Sequence, residues 1–100
     1  MITNPVSGMY IVCCGKNGRA VLIGESVTEP VAGRPIVLTN ARMVLYWASD
    51  CGGLLGLAAN GPKGKTRITA AVSRHGDECV RQWVAVSEDA KKAIDSWPAC

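Results

Sequence analysis

The apolar residues of this chain come in short runs, and between Tyr10 and Val86 none of them outgrows a β-strand. Positions 10–14, 19–23, 36–38, 43–47, 66–72 and 80–86 are β-prone stretches of strand length. Turn signals separate them: Asn17-Gly18, Glu29-Pro30, Gly33-Arg34-Pro35 and Asn60-Gly61-Pro62. Asn17-Gly18 between the first two runs predicts an N-terminal hairpin. Thr39 to Arg42 predicts a turn or bulge between the third and fourth, and Ser73 to Glu78 reads as a polar loop ahead of the last strand. Only two stretches carry helical signals. Ser49 or Asp50 can cap a short helix whose apolar face is Leu54, Leu55, Leu57 and Ala58 and which stops at Asn60-Gly61-Pro62. Ser87 caps the second, Glu88 and Asp89 suit the positive end of its dipole, and Ala90, Ala93, Ile94 and Trp97 recur at helical spacing. The expected architecture is α+β, a small antiparallel-rich sheet with one short internal helix and one C-terminal helix.

A chain of 100 residues has room for a single domain spanning 1–100, and its 48% apolar content suffices for one core. Aromatics are only 5% and Phe is absent, so Trp47, Trp83, Trp97, Tyr10 and Tyr46 are the large rings available to a core or an interface. A net charge of +3 is well short of the excess that nucleic-acid binders of this size carry, which makes a nucleic-acid partner unexpected. The odd count of 5 cysteines, two of them adjacent at Cys13 and Cys14, argues against a disulfide framework. No secretory leader or membrane-length apolar stretch is visible, so the expected setting is a reducing cytoplasm with no membrane partner.

Ala41-Arg42 ahead of Tyr46-Trp47, the Leu- and Ala-containing helix ending at Gly61, the β segment Trp83-Val84-Ala85-Val86 and a last helix closing at Trp97 form a pattern. The chain resembles in these an uncharacterised family of small phage and prophage proteins. The resemblance runs from about Tyr10 to Trp97, with Tyr46-Trp47 as its specific block and Gly52-Gly53 and residues 62–65 as departures. It implies a phage-encoded protein acting inside a bacterium in an accessory or counter-defence role, and it brings no catalytic residues.

Residues 59–66 match a relaxed phosphate-loop pattern ending in Gly64-Lys65-Thr66. A working phosphate loop follows a buried parallel strand and opens a helix, whereas a helix precedes this one and a β-prone stretch follows it. Nucleotide hydrolysis is therefore not expected. Lys63, Lys65 and Arg67 on a Gly-containing loop can still hold an anion without catalysis. Gly52 and Gly53 stand at a strand-to-helix junction, where backbone N–H groups and the helix dipole favour phosphate, although glycines there also serve turn geometry. Tyr46 and Trp47 adjoin this junction and must face opposite ways on a strand, so one ring belongs to the core and the other can stack on a ligand. His75, Asp77 and Cys79 fall close together but lack the partners a zinc site needs, and no metal or cofactor is expected.

These residues predict a protein that is not an enzyme. Tyr46, Trp47, Gly52, Gly53, Lys63, Lys65 and Arg67 would bind an anionic, nucleotide-derived small molecule, with a homo-oligomer interface completing the pocket. The alternative is a protein-binding inhibitor of a host protein, or a virion-associated module, using an aromatic patch near Trp83 or Trp97 and no small ligand.

Overall fold

The computed structural model describes residues 8–14, 20–47 and 52–100. Six strands and two helices follow one another as β1 (Met9–Cys14), β2 (Ala20–Glu25), β3 (Ile36–Tyr46), α1 (Gly53–Asn60), β4 (Arg67–Ile68), β5 (Val72–Asp77), β6 (Val80–Ala85) and α2 (Glu88–Ser96). This is the α+β architecture the sequence predicts, with its strands antiparallel to their neighbours. The N-terminal hairpin forms with Met9 opposite Glu25 and Cys14 opposite Ala20; its Asn17-Gly18 turn lies outside the described residues.

β3 is the longest strand and pairs with three others, β2, β4 and β5. The two apolar runs expected on either side of Thr39 to Arg42 are halves of this one strand, interrupted by a bulge. Asn40 has a positive φ of 51°, a conformation open to asparagine, and the pairing with β2 skips there from Ile23–Arg42 to Glu25–Thr39. The extra residue shifts the alternation. Ile36, Leu38 and Ala41 pack in one cluster and Val44 in the other, on the opposite face.

On its far edge β3 pairs with β5 through its first half and with β4 through its second. β6 pairs with β1 at the other end of the sheet. In a flat sheet β5 and β6 would stand about 19 Å apart, at four strand spacings of ~4.8 Å. The three peptide units from Asp77 to Val80 reach at most about 11 Å. The sheet must therefore coil until its edges approach, as a partly open barrel. The Gly33 N–H donates to the Val80 carbonyl at 2.7 Å and the Val80 N–H to the Arg34 carbonyl at 2.9 Å, which ties the β2–β3 loop across the start of β6. Tyr10, Val12, Cys14, Leu22, Leu38, Ala41 and Val80 fill the interior, and the absence of a Cβ on Gly24 lets Leu38 approach, since a methyl there would stand 2.6 Å from the Leu38 Cβ.

The second core lies between the other face and the helices, where Met9, Ile11, Ile23, Val44 and Ile68 meet Leu57, Ala58, Ala90 and Ile94. Ser87 caps α2 as expected, accepting from the Ala90 N–H at 3.1 Å, while its hydroxyl donates to the Ala59 carbonyl at 2.7 Å. That second bond docks the start of α2 on the end of α1. Gly61, φ 85°, seals the contact, because a Cβ there would lie 2.7 Å from the Ala93 Cβ.

Three expectations need correction. The loop expected from Ser73 to Glu78 is mostly strand, since β5 takes its hydrogen bonds from β3 and leaves its polar side chains at an exposed edge. The strand expected over 66–72 is two residues long. The Thr69 hydroxyl accepts from the Met43 N–H and the Thr69 carbonyl from Arg42 Nε, and the chain leaves the ladder there. α1 starts later than a Ser49 or Asp50 cap predicts. Its N-cap is Gly52, in left-handed conformation with no side-chain cap, while Ser49 and Asp50 lie outside the described residues.

Candidate functional site

Tyr46 ends β3 directly opposite Arg67 of β4. Strand alternation separates the two rings as expected: Trp47 is half-buried against the helix-side core, while Tyr46 is 52% exposed. Arg67 is exposed beside it, so a flat ring and a guanidinium stand together at this corner.

Gly52 and Gly53 have positive φ of 83° and 73°, which a side chain would strain, and they begin α1 with Gly52 exposed and Gly53 half-buried, without any acidic residue in the first turn. Lys63 and Lys65 lie beyond the opposite end of α1. An eight-residue helix is ~12 Å long, a span that a nucleotide covers and a single phosphate does not. Lys63 to Thr66 is a closed turn in which the Thr66 N–H and hydroxyl both donate to the Lys63 carbonyl, at 3.2 and 2.6 Å. Arg67 then enters a strand, so the stretch that matches a phosphate loop opens no helix.

The other rings are committed to packing. Trp97 rests on the helix-side core and its Nε1–H donates to the Thr66 carbonyl at 3.0 Å. Trp83 meets Tyr10 edge-on, with ring centroids 5.8 Å apart at 78°. Both rings are half-buried.

His75 Nε2 stands 3.9 Å from Asp77 Oδ2, a loose pair with both side chains partly in solvent, and the Cys79 N–H donates to Asp77 Oδ1 at 3.3 Å. No metal-holding group of His, Cys, Asp or Glu occurs among the described residues. Cys13, Cys14, Cys79 and Cys100 are free thiols, and Cys51 lies outside the described residues. Burial, reinforced by Asp77 and the neighbouring thiols Cys13 and Cys79, pushes the Cys14 thiol up to about 11. It therefore stays a neutral core side chain at neutral pH rather than a nucleophile.

Arg42 is the residue whose role sequence reasoning missed. It is 9% exposed, and its Nε donates to the Thr69 carbonyl at 2.7 Å, one terminal nitrogen to Ile94 at 2.6 Å and the other to Trp97 at 2.9 Å. The last turn of α2 has no basic residue of its own, so Arg42 supplies from the sheet the cation that its carbonyl end favours. A charged residue directly ahead of the apolar run 43–47 was the available signal, because such a residue survives burial only when fully hydrogen-bonded.

No helix among the described residues is long and apolar enough to cross a membrane. Residues 9–97 match the family described as a domain of unknown function, DUF6948, and the chain belongs to that family. No curated protein and no solved structure matches it.

Proposed function

We propose that this protein is a non-catalytic receptor that sequesters an anionic, nucleotide-like small molecule as a homo-oligomer, as a phage-encoded protein would inside its host. The observation that carries the reading is the exposed Tyr46 ring in register with Arg67. A base stacks on a tyrosine face, and a guanidinium pairs with phosphate in a bidentate fork. Lys65 and the start of α1 at Gly52 and Gly53 stand at opposite ends of α1, where they would hold the phosphates of an extended anion. Tyr46 and Arg67 line neither of the two clefts described for this chain, so a second copy is the natural source of the opposing wall.

Calorimetry against a panel of cyclic and linear nucleotides, with light scattering for mass, tests the reading. A nucleotide should bind an oligomer, and Lys65→Ala with Arg67→Ala should weaken it about tenfold or more, while the exposed positions leave Tm within about 2 °C. Absence of heat with every nucleotide would remove the reading.

A further inference from the structure

The larger of the two described clefts is elsewhere. Between β2 and β3 the chain arches over residues 26–35 and encloses, with the start of β3 and Arg74 of β5, a cleft of about 1200 Å³. Its shape is fixed at both feet. The Ser26 N–H donates to the Gly8 carbonyl at 2.9 Å, and Gly33 and Arg34 are tied to Val80. Ser26 and Thr28 close a local turn between them, with the Ser26 hydroxyl donating to the Thr28 carbonyl at 2.7 Å.

Three features of the lining point to a ligand. Val27, Val31 and Val37 present exposed aliphatic surface, the last two at 58% and 51%. Arg34 and Arg74 both border the cleft, and neither guanidinium has an ion-pair or hydrogen-bond partner among the described residues. Tyr10 is only 5% exposed, yet its hydroxyl has no partner among them either. No buried side-chain oxygen or nitrogen among the described residues is left unsatisfied, so that hydroxyl is not wholly buried, and Tyr10 is one of the residues lining this cleft. Of the two carboxylates on the lining, Glu25 already accepts from Asn40 Nδ2 at 2.9 Å. Two guanidiniums and two carboxylates thus line the cleft, and of these four groups only Glu25 has a side-chain partner among the described residues.

We propose that this cleft is a docking site for an extended peptide segment of a partner protein in which acidic and aliphatic residues alternate. Val37 and Arg74 share one face of the β3–β5 pair, so aliphatic side chains of the bound chain can pack on Val31 and Val37 while neighbouring carboxylates reach Arg34 and Arg74, where a planar fork pairs in bidentate fashion. The Tyr10 hydroxyl bonds a carbonyl or carboxylate of the bound chain. A peptide suits the cleft better than a small molecule, because walls this exposed would leave a compact ligand half in water, and the volume exceeds the ~300–1,000 Å³ usual for small-molecule pockets. The site shares no residue with the nucleotide-like corner, so the two readings stand or fall separately.

Three labelled peptides of one length, alternating Val with Glu, with Gln or with Lys, provide the test by fluorescence anisotropy and amide NMR. The Glu peptide should bind tightest, with shifts confined to residues 8–10, 25–39 and 74. Arg34→Gln with Arg74→Gln should weaken it about tenfold or more, and Tyr10→Phe, which keeps the ring on Trp83, about fivefold at unchanged Tm. Equal binding of the Lys peptide, shifts centred on Tyr46 and Arg67, indifference to both variants, or no binding at millimolar peptide would each overturn the proposal. So would octanoate giving the same shifts at lower concentration than the Glu peptide, which would make the cleft a small-carboxylate site.

Discussion

Arg42 of β3 has the opposite fate from Arg34, in the loop ahead of that strand, and Arg74 of β5 beside it. Arg42 is buried and donates to three carbonyls, two of them in the last turn and cap of α2. Arg34 and Arg74 are exposed at the rim of a cleft, with neither acid nor carbonyl engaged among the described residues. Burial without partners would cost a guanidinium several kcal/mol, so Arg42 is tolerable only because the helix end satisfies it. Exposure leaves the other two little structural work. The helix side of the molecule is thus held by its polar groups, and the arch side presents them.

Substitutions should separate the two regions by size of effect. Arg42→Ala should destabilise the fold most, by about 3 kcal/mol, because carbonyls at the end of α2 lose their donors beside the core; chemical denaturation measures it. Alkaline pH should act on the barrel interior through Cys14. Its raised folded-state pKa means that the unfolded chain releases the thiol proton first, so stability falls as pH rises from about 9 towards the folded value of about 11. The loss is on the order of 2 kcal/mol, and Cys14→Ser should flatten that part of the profile. Ser87→Ala should cost about 1 kcal/mol, as it removes both the α2 cap and the bond to Ala59. Arg34→Gln with Arg74→Gln should change stability by less than about 0.5 kcal/mol, and a larger loss would show that the arch side is structural as well.

Much of the fold was legible because it rests on local signals. The hairpin of β1 and β2 follows from two apolar runs around Asn-Gly, and α2 from a serine cap ahead of apolar residues at helical spacing. β5 was not legible, because an edge strand that carries Ser73, Arg74 and Asp77 has no apolar alternation and owes its form to the hydrogen bonds of β3. Barrel closure depends on how far apart in the sheet β5 and β6 fall, which no local pattern records. Strand alternation did separate Tyr46 from Trp47, but which ring is buried depends on two frame shifts, one at Asn40 with its positive φ and one between Val44 and Tyr46. The arch over 26–35 read only as chain breaks at Glu29-Pro30 and Gly33-Arg34-Pro35. Its cleft exists because Gly8 and Val80, distant in sequence, hold its two feet.

The contrast between the arginines can be read from the guanidinium groups themselves. Nitrogen-resolved NMR of the arginine Nε–H signals near neutral pH should show Arg42 as a sharp resonance protected from exchange with water, and Arg34 and Arg74 exchanging as free side chains do. An Arg42 signal that exchanges as fast as theirs would contradict the account, and so would equal protection of Arg34 or Arg74.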